Sequence, residues 1–314
     1  MENSGESQRP HLPVLYQEII QAIQPGRKKR YVDLTLGAGG HSWGLLDASR
    51  PDGELLGLDV DPIALALAQS RLTEFGKQAS TVLASYTRLS HQLSNKGWET
   101  VDGIVIDLGA SSMQFDSADR GFSFREDGPL DMRFDPSSHL TAGDIVNNWD
   151  QDEIADVIFK FGEERRSRRI AAAIVKNRPF ESTKELADLI SKTQKGPNKS
   201  RLHPATLTFQ ALRIAVNGEL DAIEQVLPQA LEALAPGGRF AVISFHSLED
   251  RIVKHFFRSH SRDQHDESLP FSPVIRKASI KLINRKPILP SAAEVNKNPR
   301  ARSAKLRVIE KIVA

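Results

Sequence analysis

The chain of 314 residues contains no cysteine. That excludes disulfides, cysteine-ligated zinc, iron–sulfur clusters and a thiol nucleophile, and it fits a reducing, cytoplasmic setting. Long apolar runs are also missing. The longest are strand-sized, so no membrane span is expected. The N-terminal MENSGESQRP has no apolar segment and does not read as a secretory signal; residues 1–10 are expected to be disordered. Large net charge is absent too, at +2 in a globular composition of 39% apolar and 26% charged residues.

That small total hides an uneven distribution. Residues 160–201 hold 12 Lys/Arg against 5 Asp/Glu, and residues 251–311 hold 15 against 5. The rest of the chain holds 15 against 30. One such run alone reads as a solvated face. Two basic segments beside an acidic body point to a polyanionic partner.

What is present begins with an α/β alternation. YVDLTL (31–36) reads as a strand ending at the glycine turn GAGGHS. ELLGLD (54–59), STVLASY (80–86) and VDGIVIDLG (101–109) read as three more strands, with DPIALALAQSRL (61–72) as a helix between the first two of these. The last strand is a nearly continuous apolar run, as in a parallel sheet covered on both faces. This alternation predicts a doubly wound α/β domain. It stops between about 116 and 216, where the periodicity is helical. DEIADVIFKFGEERRSRRIAAAIVKNR (152–178) reads as helix, STKELADLISKT opens with a capping-box pattern at Ser182 and Glu185, and HPATLTFQALRIAVN is helical again. Afterwards a helix running to the glycines at 237–238 precedes a strand at 239–245, then HSLEDRIVKHFFRS as helix and two late β-like stretches. The expected organisation is a discontinuous α/β domain, 11–115 with 217–314, and an inserted helical domain, 116–216.

Three motifs are missing at the places where nucleotide chemistry would put them. Glycines at 37, 39 and 40 follow the first strand, but position 42 is Ser, which breaks the dinucleotide pattern G-x-G-x-x-G. No G-K-[ST] follows, so the turn is not a P-loop. Asp59 closes the next strand 22 residues after Gly37, where a carboxylate can accept both hydroxyls of a ribose. A tight glycine turn without a pyrophosphate cradle suits S-adenosylmethionine; a turn that needs glycine only for packing is the plainer alternative. The third gap is at the exit of the fourth strand. Amino-methyltransferases place [DNS]-P-P-[FYW] there, and this chain has D-L-G-A-S-S.

That exit opens the stretch DLGASSMQFDSADRGFSFREDGPLDMRFD (107–135), with six Asp, three Arg and four Phe. Together with HLPVLYQE, DLTLGAGGHS, GLDVDP, GEERRSRRIAAAIV, HPATLTFQALRIAVN, PGGRFAVISFHSLEDRIVK and NPRARSAKLRV, it resembles the bacterial 16S ribosomal RNA cytosine-N4 methyltransferase family over about residues 11–312. The resemblance implies a class I methyltransferase fold with a helical insert, S-adenosylmethionine as donor, and one cytidine in the decoding region of 16S rRNA as acceptor; the 30S subunit is the expected partner, with free RNA as the alternative. It places Gly39, Gly40 and His41 on the cofactor turn, Asp59 on the ribose, Tyr86 against the adenine, and Asp107 and Gln114 on the cofactor at the strand exit. The aspartate-rich stretch is then expected to continue as the wall of a base pocket.

For the chemistry, Asp107 either holds the methionine amino group or accepts the cytosine N–H that must be polarised before methyl transfer. With the prolines and aromatic absent, Phe122 or Phe124 supplies the face on which a flipped base stacks, or both pack within the loop. Ser111 and Ser112 cap a helix or bind phosphate. His246 touches the target nucleotide or is a polar residue at a helix start, with Ser247 capping. Arg165, Arg166, Arg168 and Arg169 cannot all face one groove; Arg165 and Arg169 are taken as RNA contacts. His255, His260 and His265 are spaced five apart and read as basic surface, and no metal site is expected. DNA methylation and a non-catalytic assembly factor remain as other readings; the missing proline motif disfavours the first, and an intact glycine turn with Asp59, Asp107 and Gln114 disfavours the second.

Overall fold

A computed structural model describes residues 13–194, 203–265 and 274–312. The expected disordered N-terminus lies outside these residues, as does most of the loop SKTQKGPNKS. The chain divides into two compact units. Unit 1 comprises the residues up to Leu108 together with those from Ile223 onward, and unit 2 is Gly109–Ala222. The expected boundaries were 115/116 and 216/217.

Unit 1 is built on a sheet. Strands β1 (Arg30–Asp33), β2 (Glu54–Asp59), β3 (Ala79–Leu83), β4 (Val101–Asp107) and β5 (Leu234–Ser244) lie parallel in the order β3-β2-β1-β4-β5. A short ribbon, β6 (Gln264–His265) with β7 (Val274–Arg276), stands apart from it. Strands β8 (Ile280–Leu282) and β9 (Lys305–Lys311) complete the sheet as β5-β9-β8, with β9 antiparallel to both neighbours. Six strands run the same way, and the reversed strand β9 lies between the last two of them, β5 and β8, which is the class I methyltransferase sheet. Parallel neighbours require crossovers, and helices α1 (Tyr16–Ile23), α2 (Gly40–Ala48), α3 (Pro62–Leu72) and α4 (Leu89–Lys96) occupy the first half of the unit. The start of α3 follows from sequence: Asp61 accepts from the Ile63 N–H at 3.0 Å, and Pro62 takes the first helical position. Leu15, Ile19, Tyr31, Leu55, Val105, Ala241 and Leu306 are among the buried residues of this unit's core.

Unit 2 is helical. It contains α5 (Ser112–Asp116), α6 (Ala142–Asn148), α7 (Gln151–Gly162), α8 (Ser167–Asn177), α9 (Thr183–Thr193) and α10 (Thr206–Asn217). Ile154 and Ile158 of α7, Ile170 and Ile174 of α8, and Leu186 and Ile190 of α9 repeat at i,i+4 and fill its core. Ser182 and Glu185 form the capping box that their spacing predicts. The helix predicted over 152–178 is two helices, broken where Glu163 takes φ +52°. Just before the break, α7 packs closely on α10. A Cβ on Gly162 would stand 2.6 Å from the Leu207 carbonyl oxygen, so the last residue of α7 has to be glycine for α10 to come so close.

The chain returns to unit 1 through α11 (Glu219–Ala233), which ends before the two glycines rather than at them. Leu234 already pairs with Val101, and the register then shifts so that Arg239 faces Gly103. Residues 235–238 are thus a bulge inside β5, with Gly237 at φ +78°. Helix α12 (Ser247–His260) follows β5, and α13 (Ala292–Lys297) precedes β9.

Candidate active site

Strands β1, β2 and β4 each end in an aspartate: Asp33, Asp59 and Asp107. β1 has β2 on one side and β4 on the other, so the order of connection reverses there. Ligands of open α/β sheets bind outside the carboxyl ends of the strands at such a reversal. The segment leaving β1 is pinned on both sides, by Leu34 N–H to the Val105 carbonyl (2.9 Å) and Leu36 N–H to the Leu58 carbonyl (2.8 Å).

Asp59 ties the glycine turn to β2. Its Oδ2 accepts the Gly37 N–H at 2.7 Å, and its Oδ1 accepts the Asp61 N–H at 2.9 Å. Each oxygen keeps further acceptor capacity. Burial raises its pKa, and these two N–H bonds oppose the rise. The Ala84 N–H donates to the Asp59 carbonyl at 2.8 Å, so the chain leaving β3 passes this carboxylate two residues before Tyr86. Gly39 has φ +74°, and a Cβ there would lie 3.3 Å from Ala68 Cα of α3. Packing of α3 therefore accounts for that glycine.

Asp33 is 1% exposed; its oxygens accept from the Ser42 hydroxyl (2.7 Å) and the Thr35 N–H (3.2 Å). Burial pushes its pKa up to about 6, opposed by those bonds and reinforced by the charge of Asp59. Thr35 Oγ1 in turn accepts the Asp107 N–H at 2.6 Å. Asp107 carries the largest rise, to about 8, from burial first and then from Asp33 and Glu249. A quarter of its side-chain surface stays open to water, which moderates the burial. Its Oδ1 has no hydrogen-bond partner among the described residues. His41 Nε2 stands 3.8 Å from Asp107 Oδ2, and the imidazole, stacked on Tyr16, is held down to about 4 by burial. It is therefore neutral at pH 7. Three carboxyls at one sheet edge, with Asp59 acting on Asp33 and Asp33 on Asp107, disfavour a pyrophosphate and favour a ligand with positive charge.

His246 is the N-cap of α12, in the role expected of Ser247. Its Nδ1 accepts the Glu249 N–H at 3.4 Å, and its Nε2 lies 3.1 Å from Glu249 Oε1. The Phe245 and His246 N–H groups donate to Glu249 Oε2. Both ring nitrogens are thus turned to the helix start rather than outward. His255 is exposed and His260 Nδ1 lies 2.9 Å from the Phe256 carbonyl; the side chain of His265 lies outside the described residues.

In unit 2, Ser111 and Gln114 form the capping box of α5, with Ser111 N–H to Gln114 Oε1 at 3.0 Å. Capping is what Ser111 does here, and the Gln114 amide oxygen serves it. Phe122 is a correction to the expected stacking face. It is 5% exposed, with its ring stacked on Phe134 at 5.4 Å, and it fills the core. Phe124 is half-buried against Phe209 and His203. The aspartate-rich stretch spends its charge internally. Arg133 pairs with Asp131 at 2.6 Å and donates to the Pro136 and Ser138 carbonyls, and Arg120 donates to the Arg133 and Phe134 carbonyls. Arg165, Arg168 and Arg169 are exposed around the start of α8, whose first turn has no acidic residue.

The family model of the MraW methylases matches residues 8–312. The chain belongs to the MraW methylase family. A protein of Dehalococcoides mccartyi is 49% identical over 305 residues, 97% of this chain and 87% of that one. One of Synechococcus elongatus is 46% identical over 313 residues, covering 99% and 98%, and one of Heliobacterium mobile is 46% identical over 310 residues, covering 96% and 99%. All three are named ribosomal RNA small subunit methyltransferase H.

For this methylase, motif reading singled out Asp59 and Asp107 and passed over Asp33, Thr35 and Ser42. The signal was present: YVD, GLD and VID are apolar runs closed by aspartate, and three such endings in one α/β domain mark one sheet edge.

Proposed function

We propose that the chain transfers a methyl group from S-adenosylmethionine to the exocyclic N4 of a cytidine in the decoding region of 16S rRNA, which it meets in the 30S subunit. The observation that carries the donor is the acid-lined edge of β1, β2 and β4. S-adenosylmethionine brings an ammonium and a sulfonium against one carboxylate and no phosphate, and so offsets the burial and the added carboxyl repulsion that lift Asp33 and Asp107. The acceptor rests on the family and on the names of its full-length relatives.

Bound S-adenosylmethionine supplies an electrophilic methyl group on sulfur. The chain supplies position. Asp59, fixed by Gly37 and Asp61, accepts the ribose hydroxyls with its remaining lone pairs, while Gly39, Gly40 and Tyr86 frame the nucleoside. Asp107, with one oxygen uncommitted, takes the methionine ammonium in its ionised form. The same carboxylate accepts an N–H of the cytosine amino group, localising a lone pair that the ring otherwise withdraws. His41, neutral beside it, adds no competing charge. Gln114 acts on the cofactor through its amide, and His246 reaches the nucleotide only by leaving its cap. Unit 2 selects the RNA, with Arg165 and Arg169 on phosphate and Phe124 as the aromatic beside the base.

The test is transfer of a tritiated methyl group to 30S subunits, naked 16S rRNA and DNA in parallel. Label in the ribosomal substrates alone supports the proposal. Label in DNA would replace it with DNA methylation, and no label in any substrate, with RNA binding intact, with a non-catalytic assembly factor.

A further inference from the structure

A groove of about 770 Å³ lies in unit 1, between the C-terminal half of α12 and the sheet end at β8. Five of its lining residues are exposed cations: Lys254 and Arg258 of α12, Arg262 just after it, Lys281 of β8, and Arg285. Among the described residues, none of the five has a carboxylate partner and no Asp or Glu lines the groove. A sixth cation, Arg307, is different. Asp250 grips it through two bonds of 2.7 and 3.2 Å, so it is wall rather than free charge. The floor is apolar, with Phe257 and Ile280 each 2% exposed.

The arrangement follows from local periodicity. Lys254 and Arg258 are one helical turn apart and share a face. In β8 the side chains alternate, so Ile280 and Leu282 face α12 and floor the groove, while Lys281 stands beside Glu310 on the other face of the sheet and adds only edge charge. Like charges are gathered around one concavity without internal neutralisation, and a polyanion is the partner that compensates them. Charged rim over apolar floor is the pattern that holds a nucleic-acid strand, with phosphates on the rim and sugar or base faces below.

Position adds direction. Helix α12 starts where β5 ends, and Ile243 of β5 is paired with Asp107. Counting from Ser247 at 1.5 Å per residue, Lys254 and Arg258 stand roughly 10 and 16 Å further along the helix. We infer that this groove carries the sugar–phosphate backbone of the RNA on one flank of the target nucleotide, as an RNA contact of unit 1 itself. The inference rests on the rRNA reading above.

The triple variant Lys254→Gln/Arg258→Gln/Arg262→Gln tests it in the full chain, by fluorescence anisotropy on a 16S rRNA transcript across a salt series. Removing three phosphate contacts is expected to lower the slope of log affinity against log salt by roughly 2, at about 0.7 per contact on single strands, and to weaken binding at least about tenfold near 0.15 M salt. S-adenosylmethionine affinity and melting temperature are expected to stay at wild-type values, which separates a lost contact from a lost fold. An unchanged slope on naked transcript overturns the inference. So does unchanged affinity for naked transcript with weakened binding to intact 30S subunits, since the groove would then hold an acidic protein segment. Binding needs no turnover, so the groove is judged separately from methylation.

Discussion

Replacing Asp107 by Asn while titrating cofactor binding against pH interrogates the charge at the centre of the acid-lined edge. In the ligand-free protein the Asp107 pKa is raised to about 8. If the bound ammonium requires the carboxylate, the competent fraction is about 1% at pH 6.0 and about a quarter at pH 7.5, at tenfold per pH unit. Calorimetry should then show wild-type affinity for S-adenosylmethionine tightening about twentyfold over that interval, while Asp107→Asn shows a much flatter profile. The residual slope belongs to Asp33, raised to about 6. At pH 7.5 the variant should also turn over at least about tenfold more slowly with saturating donor, roughly 1.4 kcal/mol of barrier. A stability readout follows from the same shift. A carboxyl whose folded pKa lies above its unfolded one binds more protons in the folded state, so its favourable contribution is complete below about 3.8 and lost as pH rises through about 8. Asp107→Asn should therefore gain stability relative to wild type as pH rises across that window. Wild-type affinity that is flat from pH 6.0 to 7.5, or an Asn variant with the same slope as wild type, would refute the reasoning and move the ammonium away from Asp107.

Asp59→Ala removes the acceptor proposed for the ribose and frees the Gly37 and Asp61 N–H groups; calorimetry should show donor binding weaker by about 10–100-fold, for roughly 1.5–3 kcal/mol. NAD, with its pyrophosphate, is expected to bind far more weakly than S-adenosylmethionine to the wild type, and comparable affinities would remove the electrostatic argument. Gly162→Ala pushes a methyl group onto the Leu207 carbonyl, 2.6 Å from the built Cβ, and should cost about 1–3 kcal/mol of stability in denaturant titrations. Arg165→Ala/Arg169→Ala should reduce the salt slope of RNA binding by roughly 1.4 without changing donor affinity; a full slope would take these arginines off the phosphate.

Much of unit 1 is legible in the sequence because its signals are local. Alternating apolar runs and helices, Asp61-Pro62 at a helix start and glycines after β1 each dictate structure within a few residues. The bulge in β5 is not, since it depends on Leu234 finding Val101 across the sheet. The glycine that ends α7 is dictated by α10, more than forty residues on. At the site, family motifs pointed to Asp59 and Asp107, whereas Asp33 becomes visible only once β1, β2 and β4 lie side by side. Phe122 shows the opposite failure. An aromatic in a charged loop reads as a binding face, but Phe134, twelve residues later, covers it. For His246 the place after β5 suits a nucleotide contact or a helix start, and its Nδ1 takes the Glu249 N–H as the cap of α12.

The position of the transferred methyl group tests the account most directly. After incubation of 30S subunits with donor and enzyme, the RNA is digested to nucleosides and separated by liquid chromatography with mass spectrometry. The account predicts N4-methylcytidine as the enzyme-dependent product, confined to one fragment of the decoding region and lost with Asp107→Asn under conditions of limited turnover. Methylation on a ring carbon of cytosine, on adenine, or on the ribose would contradict it.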